Sequence, residues 1–171
     1  MSDPSYGPSA IATPANYVTM IRILVSPLLF AMISDNPSGW IVWTLWTALA
    51  LTDGVDGWIA RRHGTTRSGA FLDPLADKVL VLGALFSLVA VDRFPVLPVV
   101  VIAVREVFIS VYRMWWGRRG LAMPARKSAK LKTLVQSLAV GAVLLPLTTN
   151  LLWLGDGLLY FATFLAVFSA L

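Results

Sequence analysis

Residues 53–78 read DGVDGWIARRHGTTRSGAFLDPLADK and join two apolar segments of the chain. One segment, residues 40–60, leads into this stretch, and the other, residues 74–91, continues from it. Each is close to the length of about 20 residues that a helix needs to cross a bilayer. The stretch therefore predicts a polar turn between two membrane helices, with acidic residues on both sides of the turn: Asp53, Asp56, Asp73 and Asp77.

Apolar segments of similar length recur along the 171 residues of the chain. Hydrophobic residues make up 57% and charged residues 13% of the sequence, and the mean hydropathy is +0.75. A soluble core of this size cannot bury so much apolar surface. We therefore expect an all-α, polytopic membrane protein, with a flexible cytoplasmic tail over residues 1–15 and one six-helix domain over residues 16–171. The six predicted transmembrane helices run over residues 17–34, 40–60, 74–91, 94–116, 129–147 and 151–171.

Basic residues fall mainly on one side of the predicted helices. Arg93 alone lies in a loop on the other side, whereas the first side holds Arg61, Arg62, Arg67, Arg118, Arg119, Arg126, Lys127, Lys130 and Lys132. Because basic loops stay in the cytoplasm, this side and the N-terminus are predicted to be cytoplasmic. The net charge of +5 then reflects topology and contact with anionic lipid rather than nucleic-acid binding.

The acidic residues are spaced to share helix faces. On a helix, Asp53, Asp56, Gly57 and Ala60 follow the spacing i, i+3, i+4 and i+7, which places two carboxylates beside two small residues. Asp73 precedes Pro74 and is therefore expected to cap the next helix, with Asp77 one turn later.

Four carboxylates gathered at a membrane interface repel one another strongly. Single acidic residues at span ends are ordinary, but four at this spacing favour a site for divalent cations. The chain contains no cysteine, so neither a thiolate metal site nor a thiol nucleophile is available. Carboxylate ligands favour Mg²⁺, Mn²⁺ or Ca²⁺ over zinc, and Mg²⁺ commonly bridges carboxylates to substrate phosphates.

The pattern closely resembles the motif of the CDP-alcohol phosphatidyltransferase family, D-x-x-D-G-x-x-A-R followed after a short gap by G-x-x-x-D-x-x-x-D. Its fixed positions are present as Asp53, Asp56, Gly57, Ala60, Arg61, Gly69, Asp73 and Asp77. The resemblance implies a six-helix body in the cell membrane, a cytoplasmic active site, two Mg²⁺ or Mn²⁺ ions, CDP-diacylglycerol as a substrate and a homodimer.

The resemblance also implies roles for these residues. Asp53, Asp56 and Asp73 would hold the metal pair, and Asp77 would complete the site and accept the proton of the attacking alcohol. Gly57, Ala60 and Gly69 would make room for the nucleotide, and Arg61 would pair with its diphosphate. Direct in-line attack without a covalent enzyme intermediate is expected.

Charged residues inside the later spans suggest where the acceptor binds, because an intramembrane charge normally faces a polar cavity or a partner. Arg105, Arg113, Lys130 and Lys132 could form a pocket for a phosphate on the acceptor. Alternatively, Arg105 and Glu106 form a packed ion pair, and the lysines only enforce topology.

Within the family, SGAFLDPLADKVLV, REVFISVYR and AKLKTLVQ look most like members that use glycerol 3-phosphate and form phosphatidylglycerophosphate. Alternatives are a cardiolipin synthase with phosphatidylglycerol as the acceptor and an enzyme for inositol phosphate. An ion transporter is a remote alternative, since the aspartates gather on one side and do not line a path through the membrane.

Overall fold

The structure is a computed structural model, and it describes residues 14–63, 67–117, 127–146 and 152–168. For residues 14–16, 53–63, 67–74, 113–114, 116–117, 127–130 and 152, the description covers the backbone alone. The predicted tail over residues 1–15 lies almost wholly outside these ranges and stays a prediction.

The described ranges contain six helices and no strand, so the predicted all-α class is confirmed. Each of the six predicted segments corresponds to one helix, with ends that differ by a few residues in most cases. The helices are α1 Pro14–Asp35, α2 Trp40–His63, α3 Arg67–Ala90, α4 Val96–Gly117, α5 Lys127–Leu144 and α6 Leu152–Phe168.

The third helix begins seven residues earlier than predicted. It starts at Arg67, so Asp73 is not its N-cap and Pro74 is not its first residue. Pro74 instead lies within the helix, where it cannot donate a backbone hydrogen bond to the preceding turn. Helices surrounded by other helices tolerate such a proline. As a consequence, Asp73 and Asp77 both lie inside α3, one turn apart.

The turn between α3 and α4 has a well-defined helix-ending geometry. Asp92 adopts a φ of 56°, its N–H donates to the Val89 carbonyl at 3.0 Å, and the Arg93 N–H donates to the Leu88 carbonyl at 2.9 Å. This pair of bonds is the Schellman arrangement, with Asp92 in the left-handed conformation that aspartate tolerates. It turns the chain directly into α4 and buries Phe94.

The main packed helix pairs close a ring. In the order α1, α2, α5, α6, α4 and α3, each helix packs against the next and α3 returns to α1, while α3 and α5 also meet across the ring. Trp46 joins α2 to α5 because its indole N–H donates to the Ser137 carbonyl at 3.2 Å. The interior is lined by aliphatic side chains such as Leu85, Leu88 and Ile102, all fully buried.

Polar and apolar side chains are distributed in the opposite way to a soluble bundle. Large apolar side chains such as Leu24, Leu97 and Trp153 are 72–77% exposed on the outside. The buried side chains include several polar or charged ones: Thr19, Arg22, Ser26, Glu106, Lys132 and Gln136. An apolar exterior around buried charges is what a hydrocarbon environment favours.

By length and composition alone, one helical stretch within the described ranges, Tyr17–Asp35, is suited to cross a membrane. Its mean hydropathy is 1.8. Shorter apolar stretches are Trp40–Thr52, Leu131–Leu144 and Trp153–Phe168. Six helices are therefore confirmed, whereas six membrane spans stay a prediction.

Close packing of α5 against α6 depends on a glycine. A Cβ atom at Gly155 would overlap Cγ2 of Val143, which is itself buried and stiff because it is β-branched. We expect Gly155→Ala to lower the free energy of unfolding by about 1–3 kcal/mol, the usual effect of overpacking. Thermal unfolding of the detergent-solubilised protein measures it.

Gly157 provides the matched control on the same helix, since a Cβ atom there meets nothing within 4 Å. Gly157→Ala should leave stability unchanged or raise it by up to about 1 kcal/mol through helix propensity. Equal shifts for the two variants would show that Gly155 does not govern the approach of α5 and α6.

Candidate active site at the junction of α3, α4 and α5

The motif aspartates lie on two consecutive helices. Asp53 and Asp56 lie three residues apart in the second half of α2, and Asp73 and Asp77 lie four residues apart in the first half of α3. The side chains of Asp53, Asp56 and Asp73 lie outside the described residues. The predicted convergence of all four carboxylates therefore stays a prediction.

The helical backbone is compatible with a divalent cation at this place. Spacings of three and four residues put each pair of aspartates on one helix face. His63 and Arg67 are only four residues apart, which limits the separation of the two helix ends to about 15 Å. The donor set consists of carboxylate oxygens, which suit Mg²⁺ or Mn²⁺. These residues therefore fit the predicted ions in ligand type and spacing.

Asp77 is the motif aspartate whose side chain the structure describes, and it is half-buried. It lines a small cleft where α3, α4 and α5 meet. The cleft is lined by Asp77, Lys78, Val81, Leu82, Glu106, Thr133 and Gln136.

A buried ion group stands beside the cleft. The Glu106 carboxylate on α4 is paired with the Lys132 ammonium of α5, and its Oε1 accepts a hydrogen bond from Arg105 Nη1 at 3.2 Å. Glu106 is 8% and Lys132 is 4% exposed. Burial removes water from these charges, so each needs a partner. The two cations supply that partner for Glu106.

Arg105 also holds the end of α6. Its Nε–H donates to the Ala166 backbone carbonyl at 3.0 Å. Ala166 lies in the last turn of α6, where carbonyls have no partner within the helix. Basic side chains commonly satisfy such carbonyls. Arg105 therefore joins α4 to α6 and Glu106 joins α4 to α5.

A second polar chain joins α3 to α4. The Lys78 ammonium donates to Ser110 Oγ, and the Ser110 hydroxyl donates to the Glu106 backbone carbonyl at 2.5 Å. Lys78 directly follows Asp77, so a cation and a carboxylate enter the cleft region from adjacent positions of α3. Of the described charged residues that line the cleft, Asp77 and Glu106 are acidic and Lys78 is basic, while Arg105 and Lys132 contact Glu106.

The structure describes the side chains of some of the predicted acceptor residues but not of others. Arg105 and Lys132 come together through Glu106, and the alternative of an Arg105–Glu106 ion pair is present in the structure. The side chains of Arg113 and Lys130 lie outside the described residues. So do those of Ala60 and Arg61, while Gly57 and Gly69 are placed by their backbone on α2 and α3.

Sequence reasoning missed three polar side chains that line the cleft: Lys78, Thr133 and Gln136. A signal for Gln136 was available, because it follows Lys132 by four residues and such pairs share a helix face. Lys78 gave no such signal, since a lysine that directly follows the last aspartate of the motif would ordinarily extend into solvent. Its contact with Ser110 depends on how α3 packs on α4.

Comparisons with known proteins agree with the motif. The sequence profile of the CDP-alcohol phosphatidyltransferase family matches residues 12–168. A probable phosphatidylglycerophosphate synthase of Mycobacterium tuberculosis (strain ATCC 25618 / H37Rv) is 35% identical over 148 residues, which are 83% of this chain and 70% of that protein.

Two further relatives are named CDP-diacylglycerol–glycerol-3-phosphate 3-phosphatidyltransferase. The Haemophilus influenzae protein is 32% identical over 162 residues, which cover 90% of this chain and 86% of the relative. The Pseudomonas fluorescens protein is 35% identical over 167 residues, which cover 91% of this chain and 85% of the relative. The match spans nearly all the described helices, so the chain belongs to the CDP-alcohol phosphatidyltransferase family and is an enzyme of that class.

Proposed function

We propose that this enzyme transfers the phosphatidyl group of CDP-diacylglycerol to glycerol 3-phosphate, releasing CMP and forming phosphatidylglycerophosphate. The observation that carries the proposal is the position of Asp77, the last aspartate of the motif, in a cleft that it shares with Lys78 and with Glu106, the ion-pair partner of Lys132. The names of the similar proteins support the same donor and acceptor.

In the proposed reaction, an acceptor hydroxyl oxygen attacks the phosphorus that carries the diacylglycerol. The bond from that phosphorus to the bridging oxygen of the diphosphate breaks, and CMP leaves with this oxygen. Asp77 accepts the hydroxyl proton, a task suited to a carboxylate that is half-buried and faces the acceptor cleft. Direct transfer is in keeping with a chain that has no cysteine nucleophile.

Asp53, Asp56, Asp73 and Asp77 are the residues proposed to hold one or two divalent ions. Bound there, such ions neutralise diphosphate charge and improve CMP as a leaving group. Gly57, Ala60 and Gly69 are proposed to leave room for the nucleotide beside the aspartates, and Arg61 to pair with the diphosphate.

The acceptor phosphate is proposed to bind at the cationic side of the cleft. Lys132 and Arg105 both contact Glu106, which lines the cleft, and Lys78 lines it from α3. A phosphate dianion is a stronger acceptor than a single carboxylate oxygen and can share these cations with Glu106. Arg113 and Lys130 are kept in this proposal as outer members of the pocket.

The enzyme is proposed to be a multi-pass protein of the cell membrane, with six spans and a cytoplasmic active site. Its exposed apolar exterior and buried charges support the bilayer as its surroundings. The excess of lysine and arginine in the loops on one side supports the orientation. A homodimer, expected from the family resemblance, is part of the same proposal.

The acceptor is tested by measuring CMP release from CDP-diacylglycerol with glycerol 3-phosphate, phosphatidylglycerol or inositol phosphate offered separately. We expect the highest kcat/KM with glycerol 3-phosphate and no turnover in excess chelator. Lipid analysis identifies the product. A preference for phosphatidylglycerol would show that the protein is a cardiolipin synthase, and a preference for inositol phosphate would show that it is the inositol-phosphate enzyme. Ion flux into liposomes without CMP release would show that it is a transporter.

Asp77→Asn should reduce kcat by about 10²-fold or more, because the amide cannot accept the hydroxyl proton and is a weaker ligand than a carboxylate. Asp92→Asn is the matched control, since Asp92 lies in the turn at the far end of α3 and asparagine tolerates its positive φ. Steady-state CMP release measures both. Unchanged kcat for Asp77→Asn contradicts its role as the base.

Lys132→Gln should raise KM for glycerol 3-phosphate about tenfold and leave kcat within about threefold, because a cation for the acceptor phosphate is lost. Arg93→Gln, in the exposed turn between α3 and α4, is the control. With glycerol, which has no phosphate, variant and wild type should have the same rate. An unchanged KM would show that Lys132 does not bind the acceptor phosphate and only forms the ion pair with Glu106.

A further inference from the structure

Gln136 is a buried polar residue to which the proposed reaction so far gives no role. It is 2% exposed, and it lines the same cleft as Asp77. Its side-chain Nε2 is buried and, within the part of the chain that the structure describes, makes no hydrogen bond. Buried polar atoms are almost always hydrogen-bonded. The amide is therefore suited to bind an oxygen atom of a molecule that enters the cleft.

Its position on α5 indicates which part of an acceptor it reaches. Gln136 follows Lys132 by one helical turn, so the two side chains lie on one face of α5. Lys132 points its ammonium at Glu106, whereas Gln136 shares the cleft with Asp77 on α3. The amide thus lines the cleft together with the proposed base, one turn along α5 from Lys132.

The neighbouring cations leave the amide for a hydroxyl and not for a phosphate. A phosphate dianion is matched by Lys78, which lines the cleft, and by Arg105 and Lys132, which contact Glu106 beside it. An amide N–H binds an anion more strongly than a hydroxyl, but with the phosphate served by these cations the amide remains for the oxygen that has no cation to bind. Glycerol 3-phosphate carries one such oxygen besides the reacting hydroxyl, namely the hydroxyl on its middle carbon.

We propose that Gln136 is a specificity residue whose Nε2–H donates a hydrogen bond to the non-reacting hydroxyl of a polyol phosphate acceptor. This inference rests on the proposed function, and it adds how the enzyme distinguishes a polyol phosphate from a simple hydroxyalkyl phosphate. A site built to bind a hydroxyl disfavours the analogue that lacks it, because the buried amide is then left without a partner.

The test compares glycerol 3-phosphate with 3-hydroxypropyl phosphate, which has the same phosphate and the same reacting hydroxyl but no middle hydroxyl. CMP release from CDP-diacylglycerol by the full chain in detergent with Mg²⁺ gives kcat and KM for each acceptor. Where the analogue reacts too slowly to follow, its competitive inhibition constant against glycerol 3-phosphate replaces KM.

Gln136→Met, which is nearly isosteric, should lower kcat/KM for glycerol 3-phosphate by about tenfold, the value of one buried hydrogen bond. For 3-hydroxypropyl phosphate, kcat/KM or the inhibition constant should change by less than about twofold. The selectivity of the wild type for the polyol therefore disappears. Leu138→Ala, on the exposed face of α5, is the matched control and should keep the wild-type selectivity.

Gln136→Asn gives a second measurement that does not depend on the fold tolerating an apolar side chain. It keeps an amide in the bundle but ends one methylene short, so the selectivity should fall in the same direction. Equal losses for the two acceptors would overturn the proposal, because Gln136 would then bind the phosphate or support the helices. Unchanged selectivity in both variants would overturn it as well.

The outcomes also separate this inference from the proposed function. Turnover of glycerol 3-phosphate by the wild type tests the proposed function and does not involve Gln136. If the wild type reacts with glycerol 3-phosphate and the variants keep its selectivity, only the inference about Gln136 is wrong. If the wild type does not use glycerol 3-phosphate, the proposed function itself is wrong.

Discussion

Glu106 places a carboxylate inside an apolar helix bundle, and the arrangement around the cleft depends on how that charge is compensated. Lys132 reaches it from α5, and Arg105 reaches it from the neighbouring position of α4 while also binding the Ala166 carbonyl on α6. Because an uncompensated buried charge destabilises a protein by several kcal/mol, these partners are required together. One carboxylate thereby determines how three helices meet.

The same ion group explains how a cationic surface is kept inside a hydrophobic protein. Lysine and arginine would be strongly disfavoured in this position alone. Glu106 removes part of that penalty without neutralising the region, since Lys78 adds a third cation through Ser110. The bundle can therefore present positive charge to an anion next to Asp77 while its outer surface remains apolar.

The helices could largely be predicted from sequence, whereas the contacts of the cleft could not. Apolar segments of bilayer length identified all six helices, because hydrophobicity is a property of the local sequence. The predicted start of α3 was wrong. Asp-Pro usually marks the beginning of a helix, but here the residues before Asp73 already belong to α3. The spacing of the aspartates identified the family.

Sequence reasoning left two readings of Arg105 open, and the structure shows its pair with Glu106. That pair joins adjacent residues, but the contact of Glu106 with Lys132 spans 26 positions and depends on how α4 packs near α5. The spacing of Gln136 from Lys132 was a signal in the sequence, but only the packing of the neighbouring helices shows that its amide is enclosed in the cleft that Asp77 lines.

The order of the helices along the chain has a consequence for biosynthesis. The chain is made from its N-terminus, so α1 to α4 are synthesised before α5. Until α5 is in place, Glu106 has Arg105 but not Lys132, and the wall of the cleft that carries Thr133 and Gln136 is missing. The cleft is therefore completed only when α5 has been synthesised, and not helix by helix.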